Sequence, residues 1–208
     1  MQELIKKIRE LEDSKINILV EKRLKEFEAF KNKSNNEWFQ ELCFCILAAN
    51  SKQKTSQLIQ ESLNNKLLTI EEKELAQYIR DNKHRFHNNK AKYIVEARKY
   101  KDIKEILKNK NEIESRNFLV KNIKGIGMKE ASHFLRNIGF SQNLAILDRH
   151  ILSVMHEHAV IDSIPKSITH NNYLNIETKF SNLAKQLNIS PAKLDLFLWY
   201  LKTGKVAK

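Results

Sequence analysis

Three of the chain's four glycines, Gly125, Gly127 and Gly139, fall within fifteen residues. The surrounding run, FLVKNIKGIGMKEASHFLRNIGF, reads as a helix from Glu112 to Lys121, a Gly-x-Gly turn, a second helix from Met128 to Asn137, and Gly139 as its terminator. Glycine at 125 and 127 allows positive φ in a tight turn and close approach of the backbone to something outside it. The unpaired N–H groups of such a turn, and of the first turn of the following helix, form an anion site. Lys121 and Lys124 flank it, so a phosphate is the natural guest. Two groups with chemistry to offer lie close by in the sequence. Lys129 stands two positions after Gly127, in the first turn of the second helix. Asp148 follows nineteen positions later and opens another helix as LDRHIL. An unprotonated amine is a nucleophile toward an electrophilic carbon. A carboxylate stabilises positive charge as it develops.

These groups need a frame, and the composition indicates which. Only 4 Gly and 2 Pro occur in 208 residues, too few for the turns of a strand-rich fold. Apolar residues recur at helical spacing almost throughout, so the fold class is all-α. Leu4, Ile5, Ile8 and Leu11 form one stripe. Ile18, Leu19 and Leu24, then Phe27 and Phe30, suggest a second helix. Ser34 and Glu37 make a capping-box pattern ahead of a helix from Trp38 to Ala49. That helix is apolar on nearly every side and reads as the buried central one. A polar break at Asn50–Ser51 starts a fourth helix through Leu63, and further helices are expected near 71–80, 89–100, 102–109 and 111–121. Beyond Asp148 the periodicity predicts helices at 149–158, 172–187 and 191–203, the last started by Ser190–Pro191. The segment 160–171 is the longest irregular stretch.

The formal charge is +12 with an isoelectric point near 9.6. A polyanionic partner is expected, nucleic acid first and an anionic membrane surface second. No apolar run reaches the roughly 18 residues of a membrane helix. The N-terminus, MQELIKKIRELED, has no signal-peptide core, so an intracellular, cytoplasmic location is expected. Two cysteines make neither a disulfide framework nor a four-cysteine iron–sulfur site. Cys43 and Cys45 lie two apart on one helix, point to different sides, and read as small buried hydrophobes.

The hairpin, with Lys129 and Asp148, resembles the base-excision DNA glycosylases of the helix–hairpin–helix superfamily. HRFHNNKAKYIVEAR (84–98), KGIGMKEASHFLRNIGF (124–140), LDRHIL (147–152), ELCFCILAAN (41–50) and the tail DLFLWYLKTGKVAK (195–208) are similar to the archaeal-type 8-oxoguanine DNA glycosylase/AP lyases, the second class of that activity. The resemblance spans essentially the whole chain. It departs from the superfamily in lacking a hairpin proline and the C-terminal iron–sulfur cysteines of the endonuclease III branch.

The resemblance implies one glycosylase domain over 1–208, built of two helical lobes with the active-site cleft between them. One lobe would be about 32–138, containing the hairpin at 118–139, and the other 1–31 with 139–208. It implies base-excision repair on double-stranded DNA bearing 8-oxoguanine or abasic sites, by a monomer with no membrane partner. Lys129 would be the Schiff-base nucleophile and Asp148 the assisting carboxylate. Phe86 and Trp199 would sandwich the flipped base, with Asp195 supporting the pocket and Lys208 bonding the guanine edge. Asn50 would fill the gap left in the helix. Lys124, Gly125, Gly127, Met128, Arg149 and His150 would contact the DNA backbone. No iron–sulfur cluster or other cofactor is implied, apart from a structural monovalent cation on the hairpin carbonyls. Two other readings stay open: a glycosylase/lyase for another damaged base, and a non-catalytic hairpin module that only grips DNA.

Overall fold

A computed structural model describes residues 1–206. Among these residues the chain forms twelve α-helices and no strand. The helices are α1 (Gln2–Glu12), α2 (Lys15–Phe30), α3 (Asn35–Ala48), α4 (Gln53–Leu63), α5 (Glu72–Asp81), α6 (His87–Ala97), α7 (Ile103–Leu107), α8 (Glu112–Asn122), α9 (Met128–Asn137), α10 (Arg149–Glu157), α11 (His170–Leu187) and α12 (Pro191–Thr203). Two 3-10 turns, Asn64–Leu68 and Arg98–Tyr100, join them. No described helix is long and apolar enough to cross a membrane.

The chain divides into two compact units, Asn32–Ile138 and Met1–Lys31 with the chain from Gly139 onward. In the first, α3 is the hub and packs against α4, α6, α7 and α9. A helix surrounded on all sides must be apolar on all sides, and every residue from Glu41 to Ala49 is buried. Ser34 and Glu37 close the expected capping box, but as N-cap Ser34 starts the helix at Asn35, three residues before the expected Trp38. Cys43 and Cys45 are free and buried. The charged member of this buried run is Glu41, which accepts from Asn137 Nδ2 at 2.7 Å and from Gln60 Nε2 at 3.5 Å. Arg136 in turn donates to Asn137 Oδ1 through Nε and Nη2 at 3.2 and 3.0 Å. This network ties α9 and α4 to the middle of α3, so the second helix of the hairpin is fixed by charge-assisted bonds as well as by packing.

In the second unit α12 is the hub, packing against α1, α2, α10 and α11. Ser190 caps α12 through Lys193 N–H, Pro191 occupies its first turn, and Gly204 ends it at φ +69°. Glycine is required at 139 for a reason beyond chain termination. Its φ is +67°, and a Cβ there would lie 2.3 Å from the carbonyl oxygen of Phe27.

Two details were not given by the periodicity. On α2 the buried face is Val20, Leu24 and Phe27, while Ile18 and Leu19 are 69% and 51% exposed. The helix expected at 89–100 begins at His87 and tightens into a 3-10 turn at Arg98. There Arg98 donates to the carbonyls of Leu67 and Ile70, which draws the chain inward.

Candidate active site

The hairpin forms where expected. Asn111 and Glu114 cap α8 in a reciprocal box, so the helix starts cleanly. It ends at Asn122, and Ile126 N–H returns to the carbonyl of Ile123 at 3.3 Å. Gly125 takes φ +82°. Gly127 does not take the positive φ expected of it; its φ of −99° is ordinary extended backbone. The close approach at Gly125 is also internal. A Cβ at this position would lie 2.6 Å from the Tyr93 ring of α6, so the turn rests on an aromatic of its own chain.

Charge at the turn is more balanced than the lysines suggest. Glu130 reaches back and accepts from the N–H of Gly127 at 3.2 Å, one half of a capping box, since glycine has no side chain to complete it. One of the N–H groups expected to be free is therefore taken. The same carboxylate lies 3.0 Å from Lys129 Nζ, whose side chain is 25% exposed. Lys124 pairs with Glu96 of α6 at 3.0 Å. The Met128 side chain is buried, which leaves its backbone as the part able to face a phosphate. Glu130 had a signal in the sequence, an acidic residue three positions after an N-cap glycine. Glu96 and Tyr93 had none, because their contacts arise from packing α6 beneath the turn.

Asp148 is the N-cap of α10, accepting from Ile151 N–H at 2.8 Å through Oδ1. A cap needs one acceptor, so Oδ2 stays clear for another task. Arg149 and His150 follow, both exposed. The His150 ring meets Trp199 of α12 edge to face, centroids 4.9 Å apart. Trp199 is partly exposed and braced by the imidazole of His150, the residue to which the resemblance gives a backbone contact. One turn before it, Asp195 is 5% exposed. Lys202, a turn further on, pairs with Glu157 of α10. Lys208 lies outside the described residues.

Phe86 and Asn50 share an unusual backbone. Asn50 follows α3 at φ +58°, a conformation asparagine tolerates. Phe86 sits before α6 at φ +60°, ψ +30°, and its ring is 48% exposed with the Arg85 guanidinium 5.0 Å from its centroid. A bulky residue in the left-handed region and an exposed ring are each unfavourable, and together they mark a built feature.

An all-helical chain with a Gly-x-Gly turn between two capped helices and a lysine in the first turn beyond it defines a helix–hairpin–helix protein. Residues 20–189 match the 8-oxoguanine DNA glycosylase family. An 8-oxoguanine DNA glycosylase/AP lyase of Methanocaldococcus jannaschii is 49% identical over 206 residues, covering 99% of both chains. The crystal structure of the glycosylase/lyase of that organism, in complex with a 15mer DNA containing 8-oxoguanine, superposes with a TM-score of 0.96 over 99% of each chain at 48% identity. The 8-oxoguanine DNA glycosylase of Thermotoga maritima does so with a TM-score of 0.93 at 39% identity, over 100% of this chain and 99% of the other. This chain belongs to the 8-oxoguanine DNA glycosylase family.

Proposed function

We propose that the chain carries out the two activities of its family, excision of 8-oxoguanine and cleavage of the abasic strand, through a Schiff base on Lys129. The chain is an N-glycosylase and AP lyase that acts on DNA containing 8-oxoguanine in base-excision repair. The observation that supports the covalent route is a lysine in the first turn of α9, two residues past the hairpin turn, with Glu130 as its ion-pair partner. To attack, the amine leaves that pair and gives up its proton. Nζ then bonds to the anomeric carbon as the bond to the base breaks, and the base leaves with its electron pair. Asp148 stabilises the positive charge that develops on the sugar, through the carboxylate oxygen its cap bond does not use. Opening of the sugar gives the iminium. Loss of a C2′ proton then expels the 3′ phosphate, and water returns the free lysine.

Base recognition is assigned to Phe86 and Trp199 as stacking faces, with Asp195 and Lys208 at the pocket and Asn50 in the vacated stack. Arg149, His150 and the hairpin at Lys124–Met128 would hold the backbone. The chemistry calls on no redox group. The hairpin carbonyls are proposed to take a monovalent cation, so replacing potassium by choline should weaken DNA binding at constant ionic strength. The deciding experiment is borohydride trapping on 8-oxoguanine duplex. Wild type should give a covalent adduct, and Lys129→Gln should give none while still binding the duplex. Undiminished trapping in Lys129→Gln would overturn the assignment.

A further inference from the structure

The carbonyls at the end of α3 have an uncommon set of partners. Those of Cys45 and Ala48 accept from Ala49 and Ser51 N–H, as in any helix end. The other three are taken by side chains from the segment around Phe86. Lys90 Nζ donates to Ile46 O at 2.6 Å and to Ala49 O at 2.9 Å. His84 Nε2 faces Leu47 O at 2.9 Å, and its Nδ1 faces Arg85 O. Burial lowers the pKa of His84 and so favours the neutral ring, which has a single N–H, so one of these two contacts is a bond at a time. Both residues are buried, Lys90 at 5% exposure.

A buried lysine normally needs a carboxylate. Lys90 uses carbonyls instead, at the negative end of the α3 dipole. Burial lowers its pKa to about 8, a fall opposed by Glu130 and assisted by Lys129, so at neutral pH most of it stays a charged donor. The result is a staple. His84 and Lys90 bracket Phe86 in the chain, and both close onto the helix end that carries Asn50.

We infer that Lys90 is a positioning residue for lesion recognition: with His84 it fixes the strained Phe86 turn against the end of α3, so that the exposed ring and the Asn50 side chain are presented to DNA as one rigid part. The inference rests on the proposed stacking role of Phe86 and explains how an unfavourable backbone is maintained there. Strain persists only where the surroundings over-determine it. Three carbonyl contacts from two buried side chains, one before Phe86 and one after it, supply that constraint.

The test uses the full chain in single-turnover assays on two duplexes, one with 8-oxoguanine and one with a preformed abasic site. Lys90→Met keeps the bulk of the side chain and removes its donors. It should slow 8-oxoguanine excision by about tenfold to a hundredfold, the penalty of a misplaced recognition group. Abasic cleavage, which needs no stacked base, should stay within about twofold of wild type. That substrate also reports folding and an intact Lys129. Lys90→Gln retains a shorter donor and should fall between wild type and Lys90→Met, carrying the test if the methionine variant fails to fold. Adding Lys90→Met to Phe86→Ala should cost nothing more than Phe86→Ala alone. Equal losses on both substrates, or full additivity with Phe86→Ala, would overturn the inference. If Phe86→Ala itself excises 8-oxoguanine at the wild-type rate, the stacking role fails, whatever Lys90 does.

Discussion

Asp148→Asn separates two tasks that one carboxylate performs. As a cap, Asp148 contributes one bond, from Ile151 N–H to Oδ1 at 2.8 Å. Asparagine accepts the same bond and ranks with aspartate at this position, so the loss is confined to the interaction of the charge with the helix dipole. That is about 0.3–1 kcal/mol, well below the typical stability of a domain. As a catalytic group it offers a full negative charge through Oδ2. A preorganised group facing developing charge contributes about 3–4 kcal/mol, or roughly 10²–10³ in rate. The variant should therefore melt within a few degrees of wild type yet excise 8-oxoguanine at least a hundredfold more slowly. Asp148→Ala loses the cap as well, which adds about 1 kcal/mol of destabilisation. Single-turnover excision of 8-oxoguanine, measured beside thermal melts, checks both halves. A stable Asp148→Asn enzyme with wild-type excision would reduce Asp148 to a cap and refute the charge-stabilisation argument.

Gly139→Ala should destabilise the chain by at least about 2 kcal/mol by denaturant melt, since it adds a left-handed penalty to a Cβ 2.3 Å from Phe27 O. Glu41→Ala strips Asn137 and Gln60 of a buried acceptor and should cost about 3 kcal/mol or more in the same assay. Deleting Lys208 should slow 8-oxoguanine excision about tenfold or more while sparing cleavage of abasic DNA, because unpartnered guanine donors cost about 1–3 kcal/mol each. Equal loss on the two substrates would make that terminus structural.

Much of this architecture was legible because it is written locally. Ser34 with Glu37, Ser190 with Pro191, and Gly204 each mark a helix end within a few residues of sequence. The uniformly apolar run on α3 announced a surrounded helix. Lys129 and Asp148 were legible through the spacing of a turn and two helix starts. Relations between distant elements were hidden. Nothing near Gly125 indicates Tyr93, and nothing near Ile46 indicates Lys90, because each contact spans more than thirty residues of sequence. The buried face of α2 was hidden for a related reason. Periodicity says which residues share a face, whereas the partner decides which face is covered, and α2 turns Val20 and Leu24 inward.

The placement of the cysteines on α3 has a consequence for the conditions in which this enzyme works. Oxidants that convert guanine to 8-oxoguanine also convert thiolates to sulfenic and higher acids. Cys43 and Cys45 are the chain's two thiols, and neither exposes any surface. Burial pushes the Cys43 thiol up, away from the thiolate that oxidants attack. Peroxide reaches them only after the central helix comes apart. The thiols of the folded protein are thereby shielded from the stress that generates its substrate, and their vulnerability moves to the unfolded chain, where heat and oxidant together would inactivate it faster than either alone.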